Sequence, residues 1–332
     1  MPADEYPTTG PSGGGADPAY GTGYHVPVLC KAVVSGLITN PAGVYVDGTV
    51  GGGGHTAALL DALGSGGRVV GIDRDADALA ETTARLGDAI GQGRLVLVRG
   101  DFADVSRLVH SAGFDTVDGL LLDLGVSSHQ FDEATRGFSF RSPGPLDMRM
   151  DDREGVSAWE VVNEWDERTL RLALSRYGEE PRAVRIARTI VGARPITDTA
   201  ALADVVRGCV PVQDELKTLA RVFQGIRIEV NRELDSLERA LDRATFIVRP
   251  RGRLAVISYH SLEDRRVKRY LRYGNFEGTP IRSFMGDLES PWTEVLRNGI
   301  EADEAEVRLN PRARSARLRL AERTDLTRTD PS

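Results

Sequence analysis

The sequence is expected to fold as an α/β protein, a doubly wound parallel sheet carrying an inserted all-helical block. Three observations predict this. Between residues 43 and 122, short β-branched runs alternate with amphipathic helix-length runs, the pattern of crossover-connected parallel strands. The first strand and helix are joined by a loop with glycine at 48, 51, 52, 53 and 54. The strand signal then vanishes between about Met148 and Leu219 and returns at Arg253-Leu-Ala-Val-Ile-Ser.

In order, residues 1–22 are rich in Gly, Pro, Ser and Thr and read as a disordered tail. His25-Val-Pro-Val-Leu opens the folded part and leads into an amphipathic helix ending near Asn40-Pro41. Strands are expected near 43–47, 68–72, 94–98 and 117–122, with helices at 56–63, 75–87 and 102–110. Four helical stretches follow, Ser157–Asn163, Glu167–Ser175, Arg182–Val191 and Ala200–Cys209, punctuated by Tyr177-Gly, Arg194-Pro and Val210-Pro. Helices without strands between them cannot be crossovers, so 148–219 reads as an insert. The main domain is then discontinuous, 23–147 and 220–325, with a short tail at 326–332.

The 332 residues, 41% hydrophobic, suffice for two domains. No apolar run approaches the ~20 residues that span a bilayer. The N-terminus lacks the basic and apolar regions of a signal peptide. Cys30 and Cys209 form neither a metal-spaced nor a disulfide-rich set, so a reduced cytoplasm is the simplest setting and no metal is expected. The net charge of −7 argues against a general nucleic-acid coat protein.

Ligands of doubly wound sheets sit beyond the carboxyl ends of the strands. Four such ends converge here: the glycine loop, Asp73, Asp101-Phe102 and Asp123. Glycines let backbone N–H groups approach a ligand closely. Asp73, about 20 residues beyond the loop, stands where a carboxylate accepts from ribose hydroxyls. Loop and Asp73 together read as a nucleoside half-site. Gly52, Gly54 and Ala57 also satisfy G-x-G-x-x-A, which leaves a nicotinamide oxidoreductase open. Asp101-Phe102 reads equally well as an adenine contact or as an N-cap beside a core residue. Asp123, followed by Leu-Gly-Val-Ser-Ser-His-Gln-Phe-Asp, is placed to meet a substrate amine. His260 follows the fifth strand and is expected to face the same crevice.

His25-Val-Pro-Val-Leu, Asp47-Gly-Thr-Val-Gly-Gly-Gly-Gly-His-Thr, Asp123-Leu-Gly-Val-Ser-Ser-His-Gln-Phe-Asp and Gly137-Phe-Ser-Phe-Arg resemble the bacterial small-subunit ribosomal RNA cytosine-N4 methyltransferase family. So do Pro145-Leu-Asp-Met-Arg-Met-Asp, Tyr177-Gly-Glu-Glu, Ile257-Ser-Tyr-His-Ser-Leu-Glu-Asp-Arg and Asn310-Pro-Arg-Ala-Arg-Ser-Ala-Arg-Leu-Arg. The resemblance spans about Tyr24 to Glu322; Gly225, where alanine is expected, is a mild departure. It implies a Rossmann-like sheet, S-adenosylmethionine as cofactor, and methylation of a cytosine amine in the decoding region of 16S rRNA. The partner would be 16S rRNA within the small subunit, not DNA or a membrane. It also implies cofactor contacts at Gly53, Gly54, His55, Asp73, Phe102, Asp123 and Gln130. Asp123 and His260 become the candidates for catalysis, by accepting an amine hydrogen or orienting the base.

Arg182, Arg185 and Arg188 fall three apart, opposite Val184, Ala187, Ile190 and Val191. They read either as a solvated helix face or as phosphate contacts. Two basic clusters, Arg249–Arg272 and Arg308–Arg319, suggest a focused polyanion face that includes Arg312 and Arg314. A non-catalytic RNA-binding factor would explain the arginines alone. A methyltransferase for another amine would explain the crevice alone.

Overall fold

The computed structural model describes residues 27–126, 133–151, 153 and 155–326. The expected tail at 1–22 lies outside the described residues, as does the tail expected at 326–332 apart from Leu326. The first elements are α1 (Cys30–Leu37), β1 (Val44–Asp47), α2 (Gly54–Ala62), β2 (Arg68–Asp73), α3 (Ala76–Gly91), β3 (Leu95–Arg99), α4 (Val105–Ser111) and β4 (Val117–Asp123). The helical stretch holds α5 (Ala158–Asn163), α6 (Glu167–Arg176), α7 (Ala183–Gly192), α8 (Thr199–Arg207) and α9 (Glu215–Asn231). Then come α10 (Glu233–Ile247), β5 (Val248–Ser258), α11 (Ser261–Tyr273), β6 (Trp292–Glu294), β7 (Ile300–Glu301), α12 (Glu304–Leu309) and β8 (Arg317–Arg323).

The chain divides into two compact units, residues 1–125 with 237–332, and residues 126–236. In the first, the sheet order is β3-β2-β1-β4-β5-β8-β6, with β7 also paired to β8. The strands from β3 to β5 run parallel, and β8 is antiparallel to β5, β6 and β7. Strand order reverses between β1 and β4, so the crevice of a doubly wound sheet opens at their carboxyl ends. Alternation along the strands separates two cores. Leu120, Leu122, Leu254 and Val256 pack with residues of α4, α10 and α11. Leu121, Ala255, Ile257, Leu318 and Leu320 pack with α1 and α2. Every residue of β4 before Asp123 is buried, as a central parallel strand covered on both faces requires.

The antiparallel strands were not expected. β8 begins within the Arg308–Arg319 basic cluster, yet its Leu318, Leu320 and Ala321 are buried. The period-2 alternation is present in the sequence, but local pattern alone does not tell a paired strand from a basic surface run.

The second unit has its own core, built from Val161, Leu170, Ile186, Leu202, Val222 and Ile226 among others. Ser157 starts α5 with a capping box, exchanging bonds with Glu160. The unit is wider than the expected 148–219. Phe138 and Leu146, from a stretch with no helical period, join this core. So do Val222, Phe223 and Ile226 of α9. Asn231 bridges the two segments, accepting from Met150 N at 2.8 Å and donating to Met148 O at 2.7 Å. Gly225 has a physical reason: a Cβ there would lie 3.0 Å from Gly178 N and 3.3 Å from Ala173 O. Among the described residues, no helix is long and apolar enough to cross a membrane.

Candidate active site

The glycine loop is held from α3. Thr82 Oγ1 donates to Gly51 O at 3.0 Å and Arg85 Nη1 to Gly52 O at 3.0 Å. Their carbonyls are thereby turned toward α3. Gly51 and Gly53 have φ of 51° and 75°, the left-handed region where a side chain is strained. A Cβ on Gly53 would also meet Thr82 Oγ1 at 2.9 Å, whereas one on Gly51 would meet nothing within 4 Å. The N–H groups of Gly52 and Gly54 find no acceptor among the described residues. Together with the uncapped N-terminus of α2, they form a cradle for an anionic group.

Asp73, at the end of β2, accepts from Gly51 N at 2.8 Å and from Asp75 N at 2.9 Å. One bond falls on each oxygen, so each keeps a lone pair for a further donor. Burial raises its pKa to about 6, offset in part by those two backbone bonds. Asp101 is the N-cap of the turn after β3, accepting from Ala103 N at 2.8 Å, and pairs with Arg74 at 3.6 Å. Phe102 packs against the sheet core but is only half-buried, so Asp101 is a cap while part of Phe102 stays exposed.

Asp123 ends β4. Its backbone N–H donates to Thr49 Oγ1 at 2.7 Å. Its Oδ1 accepts from the Tyr259 hydroxyl at 2.9 Å, and its Oδ2 lies 3.6 Å from His55 Nδ1. His55 Nε2 lies 2.9 Å from Val28 O. A carbonyl only accepts, so Nε2 carries hydrogen, and in the neutral ring Nδ1 is an acceptor. At 3.6 Å, His55 Nδ1 and Asp123 Oδ2 are within ion-pair range but beyond a hydrogen bond. Burial raises the Asp123 pKa to about 6, against the lowering effects of His55 and of the Tyr259 bond. Burial and the adjacent Asp123 push the Tyr259 phenol well above its ordinary value, so it stays a donor. Below this pair, buried Asp47 accepts from Thr56 Oγ1 at 2.6 Å, and burial raises its pKa too.

The structure therefore brings Gly53, Gly54, His55, Asp73 and Asp123 to adjacent strand ends, with Phe102 after the next strand. Gln130 lies outside the described residues. His260 is engaged locally: its Nδ1 accepts from Glu263 N at 3.4 Å, capping α11. Its Nε2 lies 3.2 Å from Glu263 Oε1. Tyr259, one residue earlier, is the group that reaches Asp123, and sequence reasoning missed it. The signal that could have found it is the motif Ile257-Ser-Tyr-His itself, which sets a phenol at the end of β5 next to the histidine.

The arginines fare unevenly. Arg182 pairs with Asp214 at 2.6 Å. Arg188 is exposed, 3.6 Å from Glu167, and Arg185 is exposed. Val184, placed on the apolar side, is 50% exposed beside them, and Ala183 and Ile186 complete the buried face instead. Arg312 and Arg314 lie in the 3-10 turn Pro311–Ser315, Arg314 exposed and Arg312 half-buried. The clusters around them are not uniformly outward. Arg319 is 3% exposed and doubly bonded to Asp264. Arg266 binds Glu238 at 2.7 Å, and Arg253 donates to Gly36 O at 2.8 Å.

Residues 22–324 match the family model described as the MraW methylase family. The chain is 45% identical over 303 residues to a protein of Flavobacterium johnsoniae named ribosomal RNA small subunit methyltransferase H, covering 90% of this chain and 98% of the relative. Relatives of the same name from Chlorobium luteolum and Rhizorhabdus wittichii are 46% and 49% identical. They cover 91% of this chain in each case, and 97% and 94% of their own lengths.

Proposed function

The chain belongs to the MraW methylase family, and from that premise we propose that it transfers the methyl group of S-adenosylmethionine to the exocyclic N4 amine of a cytosine in 16S rRNA of the small ribosomal subunit. The observation that carries this reading is the clamped carboxylate of Asp123 at the switch between β1 and β4, beside the glycine cradle. Family membership removes the nicotinamide alternative.

The residues present fit the cofactor. The free N–H groups of Gly52 and Gly54 and the start of α2 would take its carboxylate. Asp73, with a lone pair left on each oxygen, would take the ribose hydroxyls. Phe102 would lie along the adenine, with Gly53 and His55 lining the cradle and Gln130 assigned by the family motif. When bound, the cofactor supplies a methyl group made electrophilic by its positively charged sulfur.

The chain's own part is to present the amine and take its proton. A cytosine amine is a weak nucleophile because its lone pair is delocalised into the ring. Asp123, accepting one amine hydrogen, turns that lone pair outward and favours the positive charge that develops. Tyr259 and His55 hold the carboxylate's two oxygens in place. Asp123, its pKa raised by burial to about 6, then takes the released proton. His260 serves by capping α11 directly after Tyr259. The 126–236 unit would recognise RNA through Arg185 and Arg188, with Arg182 as a brace and Arg312 and Arg314 adding phosphate contacts. A stacked cytosine must leave its stack to reach the crevice.

The test is tritium transfer from labelled cofactor to naked 16S rRNA and to assembled small subunits, with mass mapping of the modified nucleotide. Label at a cytosine N4 is expected; label on another base, or none on either substrate, overturns the proposal.

A further inference from the structure

A second feature lies on the same edge of the sheet. In the strand register Asp123 stands opposite Ile257, and the next residue, Ser258, stands opposite Arg317. The carboxyl end of β4 and the start of β8 are thus two strand spacings apart, roughly 10 Å. There, a cavity of about 450 Å³ opens between α11 and the β7–β8 edge. Lys268, Arg297, Asn298, Arg317 and Arg319 line it, with Glu301 as the one carboxylate of the lining.

Two of its cations are spoken for. Arg317 pairs with Glu301, and Arg319 holds Asp264 with two bonds while lying 3.6 Å from Glu294. The other two, Lys268 and Arg297, are exposed and have no ion-pair or hydrogen-bond partner among the described residues. The Asn298 amide is likewise without a partner among them. Even with Asp264 and Glu294 counted, positive charge is in surplus. The fixed ion pairs hold the wall, and the unpaired groups are left to meet an anion.

We infer that this cavity is a phosphate-oxyanion subsite, and that it takes a backbone phosphate of a nucleotide flanking the base presented to Asp123. This deepens the proposed function and rests on it. The Asp123 side chain and the cavity lie on opposite faces of the sheet but at the same carboxyl edge, so a single strand whose base enters the crevice reaches the cavity by passing its backbone over the end of β5. Lys268 and Arg297 supply the charge, Asn298 an amide donor, and the paired arginines keep the wall from collapsing when no phosphate is present.

The deciding variant is Lys268→Gln with Arg297→Gln, two exposed side chains whose replacement leaves the melting temperature and the cofactor's dissociation constant at wild-type values. Against a single-stranded 16S fragment, the dissociation constant should rise about tenfold, and the slope of log affinity on log salt should shrink by about 1.4, or 0.7 for each charge removed. Inorganic phosphate should compete with RNA on the wild type and lose that effect on the double variant. Unchanged RNA affinity and salt slope overturn the RNA subsite. If phosphate alone then binds the wild type and not the variant, the occupant is free phosphate rather than RNA. If the wild type labels no 16S rRNA, the proposed function falls. The cavity is then judged by phosphate calorimetry, where equal or absent binding in both proteins removes the anion site as well.

Discussion

Asp123 carries two opposed demands. The chemistry needs a desolvated carboxylate, and desolvation destabilises that charge. With its pKa raised from 3.8 to about 6, the folded state binds more protons than the unfolded chain between those values. Its contribution to stability therefore falls as pH rises through that window and stays low above it. Asp123→Asn removes the charge while the amide can still accept from Tyr259. The variant should gain about 1–2 kcal/mol at pH 7.5 in ligand-free melts, with the margin closing near pH 4. Its single-turnover methyl transfer at saturating cofactor should fall about 100-fold or more. A normal rate at saturation would reduce Asp123 to a cofactor ligand. In the wild type, transfer should rise with pH through about 6 as Asp123 gives up its proton. Asp73→Ala, in turn, leaves two backbone donors and the ribose hydroxyls without their acceptor. It should weaken cofactor binding about tenfold or more by calorimetry. Both aspartates were legible because each ends an apolar run. Tyr259 was not, because its bond to Asp123 joins positions 136 apart in sequence.

At the scale of elements, α7 shows how far periodicity reaches. Its buried face of Ala183, Ile186, Ala187 and Ile190 follows the helical repeat, and the arginines fall outside it. Which of them are available depends on neighbours that the repeat does not encode. Arg182 is held by Asp214, two elements away in the chain, whereas Arg185 and Arg188 stand outward. Replacing Arg185 and Arg188 by glutamine should lower RNA affinity and cut the salt slope by about 0.7 per charge, at constant cofactor affinity. Arg182→Ala should cost about 0.5–1 kcal/mol of stability in denaturant melts and change the salt slope less. A salt slope equal to wild type in the double variant would make Arg185 and Arg188 ordinary surface. The same limit explains β8. Its alternation was visible, but only pairing with β5 shows that Arg319 lies inside and binds Asp264.

At the scale of the whole molecule, β8 extends the sheet by pairing with β5, β6 and β7 and carries that buried arginine into it. Arg319→Ala would leave Glu294 without this cation and Asp264 with only Arg317 at 3.8 Å, and should cost roughly 3 kcal/mol in denaturant unfolding. Arg319→Lys, which keeps the charge but loses the paired geometry, should recover only part of it. A loss within 0.5 kcal/mol would show the network to be dispensable. The sequence alone determined the α/β alternation, the glycine loop, the carboxylates at strand ends, the helical stretch and the family. All are properties of residues close together in the chain, where periodicity and motif spacing act. The tertiary structure decided the strand order, the antiparallel edge, the reach of the 126–236 unit, the Tyr259–Asp123–His55 clamp, and which arginines are paired and which left free. Those depend on contacts between distant segments, where burial and the competition for partners, not local pattern, set the outcome.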